Sequence, residues 1–443
     1  MRLEIGNFYV RDIQFGANTV FENGVLTINK EEVIAFLKDA DEHLIDVDLQ
    51  VARPGESVRI VPVKEAIEPR TRVGAEHSVF PGVTGEVFQV GEGRTHALKG
   101  MSVLAVGKHW GSFGDGLIDM AGEGAKLTYF SQLVNLCLVA DTDEAFERHE
   151  QQKKNHALRW AAHRLAEYIG NTVKEQTPEA LEVFELEPVT KRSAEMNALP
   201  SVVYVMQPQS QMEEMGYNDL LYGWDLNHFI PTFMHPNEVL DGAVISGSFM
   251  PCSSKWSTYD FQNNPTIKRL YDEHGKSLNF LGVIMSNLNV SLEQKRRSAQ
   301  FVAKMAKLLG ADGAILAEEG YGNPDADFIE CFVELENAGV KTVGITNECT
   351  GRDGKSQPLV TLDIKANAIV SCGNVSELIE LPPMDVVIGE LAALGRDGLS
   401  GGWDYDEKLG SSVREDGSII LENNSMFCGD QVCGWSPKTM AEF

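Results

Sequence analysis

Punctuation in the second half of the chain constrains its fold more than any other feature. Ser291 and Gln294 form a capping box ahead of Val302, Met305 and Leu308, and Gly310 closes that run. Asn323 stands where a second helix needs its cap, with Pro324 in the first turn, Phe328, Phe332 and Leu335 on one face, and Gly339 as the stop. Around these helices lie short apolar runs of the kind buried strands show: Val202 to Met206, Ala243 to Ser246, Phe280 to Ser286, Ala314 to Ala317, Thr342 to Thr346 and Ala368 to Ser371. The alternation predicts a doubly wound, mostly parallel α/β domain over residues 200–443.

Residues 1–140 read differently. Short apolar runs alternate with Gly and Asn turns at Leu3 to Ile5, Phe8 to Ile13, Val25 to Ile28, Ser57 to Val63, Gly85 to Val90, Ser102 to Val106 and Leu133 to Val139. Asn23-Gly24 is a hairpin signal, and one helix is expected to begin near Lys30. The expectation is a β-rich barrel or sandwich. In residues 141–199 the period becomes helical, with Leu158, Ala161, Leu165 and Ile169 on one face and Gly170 at the end. Residues 174–199, rich in Glu and Pro, read as a linker or covering segment. The fold class is therefore α/β, or α+β overall, with the β-rich domain first.

Charge removes two classes of function. With 38 Lys+Arg against 65 Asp+Glu the net charge is −27, which repels phosphate backbones and anionic lipid heads, so neither nucleic acid nor membrane is expected as a partner. No apolar run is long enough to span a bilayer, and no secretory leader is read at the N-terminus. The 7 cysteines are odd in number and scattered, which points to a reducing cytoplasm. Cys428 and Cys433 have no second pair to complete a zinc site, and His228 and His235 lack a ligand pattern, so no metal is expected.

Ligands of open parallel sheets bind beyond the carboxyl ends of the strands. The loops predicted there carry Ser248, Cys252, Glu318, Glu319, Asn323, Asp325, Cys349, Arg352 and Asn374. Cys349 and Cys252 are candidate nucleophiles by position, with Glu319 beside them as a catalytic carboxylate. Ser248, Glu318, Asn323, Asp325, Arg352 and Asn374 are candidate substrate contacts. Carboxylates outnumber cations on this rim, which suits a small zwitterionic or cationic substrate. Gly320-Tyr321-Gly322 lacks the third glycine of a dinucleotide turn, and Gly247-Ser248-Phe249 lacks the second glycine of a nucleophile elbow.

Several stretches, in order, carry a family likeness: Met1 to Asn7, Ala52 to Arg59, Gly93 to Thr95, Glu238 to Gly247, Asn263 to Pro265, Glu319 to Asp325, Gly351 to Gly354 and Lys365 to Ala368. Through them the chain resembles the α/β proprotein of component B of the glycine, sarcosine and betaine reductases. The resemblance implies reductive cleavage of a carbon–nitrogen bond in a small amine, with a selenocysteine- or cysteine-bearing partner subunit. It also implies self-cleavage before a cysteine, which becomes a pyruvoyl cofactor. Here Ser248-Phe249 occupies the position of the Asn-Cys cleavage pair, so an intact chain without pyruvoyl is expected. A substrate-binding or scaffold subunit without chemistry of its own is the alternative, and a stand-alone cysteine enzyme using Cys349 is a third. Self-association is left open.

Overall fold

The computed structural model describes residues 1–108, 114–143, 151–209, 220–226, 229–396, 401–429 and 432. His228 and Cys433 lie outside them.

The second half builds a six-stranded sheet, and five of its strands are parallel. Across the sheet run Thr232–Met234, Asn279–Met285, Ser201–Gln207, Gly313–Glu318, Lys341–Glu348 and Ile369–Asn374, with only the first antiparallel to its neighbour. Helices Leu292–Leu308 and Asn323–Asn337 cover one face, where Val302, Phe328 and Phe332 meet Val203, Val205, Ile284 and Leu316. Gly344 has no room for a side chain on that face, since the Phe328 ring lies 2.3 Å from where its Cβ would be. On the other face Tyr204, Met206, Val283 and Ala317 pack with Trp256, Phe261 and Ile267, joined by Leu3, Ile5 and Ala97 from the first half. The β-rich half thus serves as one covering layer of the sheet.

That half contains a four-stranded sheet built on Arg2–Tyr9 and Gly93–Lys99, a larger sheet built on Val58–Ile67, Met101–Val106 and Val134–Thr142, and a small three-stranded sheet. The hairpin forms as expected, with Asn23 at φ 52° and Gly24 at φ 83° between Val20–Glu22 and Val25–Ile28. Helix Lys30–Ala40 is capped by Asn29. Helix Gln151–Gly170 buries Leu158, Ala161, Leu165 and Ile169 against the β-rich half.

Four local expectations are corrected. Ala243 to Ser246 is buried and extended but joins no sheet: Tyr222 N–H donates to Ala243 O, Ile245 N–H donates to Leu220 O, and the Ser246 carbonyl is taken by Arg159. Gly85 to Val90 stays a loop, with Val87 exposed and Phe88 stacked on His77. Within the expected linker, Ala180–Glu185 pairs antiparallel with Arg2–Tyr9 as an edge strand. Gly322, not Asn323, is the helix cap, because the Asp325 carboxylate accepts the Gly322 N–H at 2.9 Å. Past Asn374 the chain also returns to the first half, where Val386–Gly389 pairs parallel with Val58–Val61.

Candidate active site at the carboxyl ends of the strands

In sequence order the parallel strands run 2-1-3-4-5 across the sheet, so the topology switches between Ser201–Gln207 and Gly313–Glu318, where a ligand crevice is expected. Glu318 and Glu319 leave the sheet at this point, and the strand's alternation sends them to opposite faces. Glu319 turns toward Trp256. One carboxyl oxygen accepts the Trp256 N–H at 2.6 Å and the other the Gln209 N–H at 2.7 Å. Burial outweighs these two donors and pushes its pKa up to about 8. Glu318 faces the two long helices. Its Oε1 accepts from Thr346 at 2.9 Å, its Oε2 has no partner, and burial together with Asp325 and Asp327 raises its pKa well above the carboxylate range. Burial therefore raises the pKa of two adjacent carboxyls.

Around Glu318 the helix starts are already committed. Asp325 accepts Gly322 N–H and, at 2.7 Å, Val360 N–H, and burial raises its pKa to about 6. Asn323 is exposed, with its amide 3.4 Å from Asn289 O. Lys295 reaches across from the neighbouring helix to Asp327 and to the carbonyls of Asn289 and Asn323.

Ser248 and Cys252 lie on the seam with the β-rich half. Ser248 is buried at φ 51°, donates to Lys64 O at 3.1 Å and accepts from Lys255 Nζ at 3.0 Å. Lys255 also donates to Gly114 O, and Lys64 pairs with Asp115 at 2.7 Å. The buried Cys252 thiol donates to Asn424 O, whose side-chain amide in turn donates to the Tyr321 hydroxyl at 2.9 Å. Cys349, Arg352 and Asn374 form a separate outer group. Asn374 holds the loop by accepting from Thr350 N and Ser376 N and donating to Gly351 O. Cys349 is half-buried with its sulfur 3.8 Å from Ser376 Oγ. Arg352 is engaged by Glu422 at 2.7 Å and by Asp406, over the Trp403 ring.

The expected rim is thus three groups: Glu319 with Ser248 and Cys252 on the seam, Glu318 with Asn323 and Asp325 on the helix side, and Cys349 with Arg352 and Asn374 outside. Sequence reasoning missed Trp256, Lys255, Lys64 and Asn347. The lysines carried a readable signal only through their burial, which a one-dimensional pattern does not show. Among the described residues no three His, Cys, Asp or Glu side chains could hold a metal ion.

Comparison with known proteins decides the family. Residues 1–441 match the family of glycine/sarcosine/betaine reductase component B subunits. The chain belongs to this family. It is 71% identical to the betaine reductase complex component B subunit alpha of Peptoclostridium acidaminophilum, over 100% of both chains. It is 45% identical to the glycine reductase complex component B subunits alpha and beta and 42% identical to the sarcosine reductase complex component B subunit alpha of the same organism, over 95% of each chain in both cases. No solved structure matches. As a component B chain it belongs to a multi-component reductase system, and among the described residues no helix is long and apolar enough to cross a membrane.

Proposed function

We propose that this chain is the substrate-positioning component B subunit of a complex that reductively cleaves the carbon–nitrogen bond of betaine or a closely similar quaternary amine. The observation that carries this reading is the 71% identity, end to end, to a betaine reductase subunit, against 45% and 42% for the glycine and sarcosine relatives. Chemistry supports it. A primary amine leaves poorly and gains from condensing with a carbonyl, whereas a quaternary nitrogen has no hydrogen to lose and cannot form an imine. It needs none: when a nucleophile attacks the adjacent carbon, the carbon–nitrogen pair stays on nitrogen and a neutral tertiary amine departs. Phe249 fits that need, because its phenyl ring has no heteroatom from which a pyruvoyl group could form.

The attacking selenolate or thiolate, and the electrons that later release the carbon fragment, come in this reading from a partner subunit. A reducing cytoplasm suits it, and the six described cysteines are all free thiols. The chain's own part is to bind and orient, with Glu319 beside the cationic nitrogen. Reconstitution with the partner subunits is the test. Release of trimethylamine from betaine, with none from the purified chain alone and no ammonia from glycine, is expected. Ammonia release from glycine with betaine inert overturns the reading.

A further inference from the structure

The end of strand Lys341–Glu348 carries a polar side chain without a partner among the described residues. Asn347 is fully buried, yet both its Nδ2 and its Oδ1 lack a hydrogen-bond partner among the described residues. An amide left in this state costs free energy, so a buried asparagine with neither end satisfied needs an explanation. Its place in the sheet supplies one. Ala317 and Ile345 are register partners, so Glu319 and Asn347 stand one pleat further along the same face. That face is the one packed by Trp256, whose apolar cluster includes Ala317 and Cys372 with Ile345 against it. Trp256 is also fully buried, and its Nε1 is also without a partner among the described residues. Two kinds of donor, an indole N–H and an amide NH₂, are thus without a partner among the described residues, one on Trp256, whose backbone N–H binds Glu319, and one on Asn347, which the strand register puts on the same face of the sheet.

The indole N–H and the Asn347 NH₂ donate and Asn347 Oδ1 accepts, so the two donors suit a ligand oxygen without protons of its own, and Oδ1 is left for a donor or a bridging water. We propose that Asn347 and Trp256 form the carboxylate-binding half of the substrate pocket, taking the carboxylate of a small zwitterion whose cationic end lies against Glu319. This rests on the reading that the chain binds a small zwitterion, and it adds which residues read the carboxylate. Choline, which keeps the trimethylammonium group and lacks the carboxylate, should then bind poorly.

The test is calorimetric binding of betaine, choline, glycine and acetate to the full chain assembled with its partner subunits, for wild type, Asn347→Leu and Trp256→Phe. Trp256→Phe keeps an aromatic ring in the cluster while removing the donor and part of the indole's volume, so, read together with its melting temperature, it gives a second measurement if Asn347→Leu folds poorly. We expect betaine affinity to fall tenfold or more in each variant while the weak choline binding stays unchanged, and the melting temperature of Asn347→Leu not to drop. Betaine binding unchanged in Trp256→Phe and in folded Asn347→Leu overturns the proposal and leaves the betaine reading intact. Binding of glycine or acetate but not betaine, with the same dependence on Asn347, overturns the betaine reading and upholds the proposal. Wild type that binds none of the three carboxylates overturns it as well.

Discussion

Glu68 and Glu319 are both buried carboxyls, one in each half of the molecule, and their surroundings drive them in opposite directions. Burial by itself would raise Glu68, but Lys99 at 3.0 Å and Arg70 at 2.7 Å reverse the effect and hold it at about 2. Glu319 accepts from the backbone N–H groups of Trp256 and Gln209 and forms no ion pair among the described residues, and burial takes it up to about 8. The pattern extends beyond this pair. In and around the β-rich half, Arg59 pairs with Asp119, Lys64 with Asp115 and Arg72 with Asp241, all buried. At the strand ends of the α/β half, neither Glu318 nor Glu319 forms an ion pair among the described residues. Of these pairs Arg72–Asp241 joins the two halves and the others brace the β-rich half from within; a buried ion pair is costly to break even where it adds little net stability. In the proposed reading, the acids at the sheet's edge that lack an ion pair among the described residues are where a ligand's cation would bind.

Breaking the fastened side should have the largest effect. Arg70 donates to Glu68 and to the carbonyls of Leu240 and Gln262, so it ties the first half to the second. Arg70→Met takes the buried Leu240 and Gln262 carbonyls' guanidinium donor away and leaves Glu68 with Lys99 as its one ion-pair partner among the described residues, and should destabilise the protein by about 3–5 kcal/mol in chemical denaturation. A loss below about 1 kcal/mol would show that this seam is not held by its charges.

Glu319→Gln sharpens the contrast through pH. Since the folded pKa of Glu319 is above its unfolded value near 4.5, its contribution to stability is fully present below that value and is lost as pH rises toward about 8. Glu68 behaves in the reverse sense, with stability present above about 4.5 and lost as pH falls toward about 2. The glutamine variant has one oxygen for two backbone donors, so near pH 5 it should be roughly 1–2 kcal/mol less stable than wild type. That gap should shrink as pH rises toward 8. A gap that stays constant across this range contradicts a raised pKa at Glu319.

The smallest effect is expected at the outer loop. The Arg352 side chain is 38% exposed, and its contacts with Glu422 and Asp406 are of the surface kind. Arg352→Ala should cost less than about 1 kcal/mol of stability. It should also leave betaine affinity within about twofold, which is under ~0.5 kcal/mol. A tenfold loss of affinity would bring the outer group back into the working pocket.

The parallel sheet was legible wherever local punctuation and buried runs coincide. Ser291, Gly310 and Gly339 act at their own helix ends, and five of the six apolar runs proposed as strands are strands of the sheet. What escaped depends on distant partners. Ala180–Glu185 becomes a strand only because Arg2–Tyr9 offers an edge, and its Leu181 and Val183 face outward, against the pattern a reader expects. Ala243 to Ser246 has strand-like composition, but Arg159 and the Leu220 segment take the carbonyls and N–H groups that a sheet would use. The site was half legible. Glu318 and Glu319 stand out in a strand-end loop, whereas Asn347 looks like any polar residue closing a strand until its burial and its empty hydrogen bonds are known. The pairing of Lys64 with Asp115, or of Arg72 with Asp241, joins positions far apart in sequence and leaves no local trace.

Proton release on ligand binding tests most directly whether Glu319 stays neutral until a ligand's cation arrives. Calorimetric titration with betaine at pH 7, repeated in buffers of different ionisation enthalpy, counts the protons exchanged. A cation placed against Glu319 favours its ionised form, so binding should release close to one proton per chain, and the release should vanish in Glu319→Gln. Betaine binding with no proton exchange in wild type, or with the same release in the variant, would contradict the account.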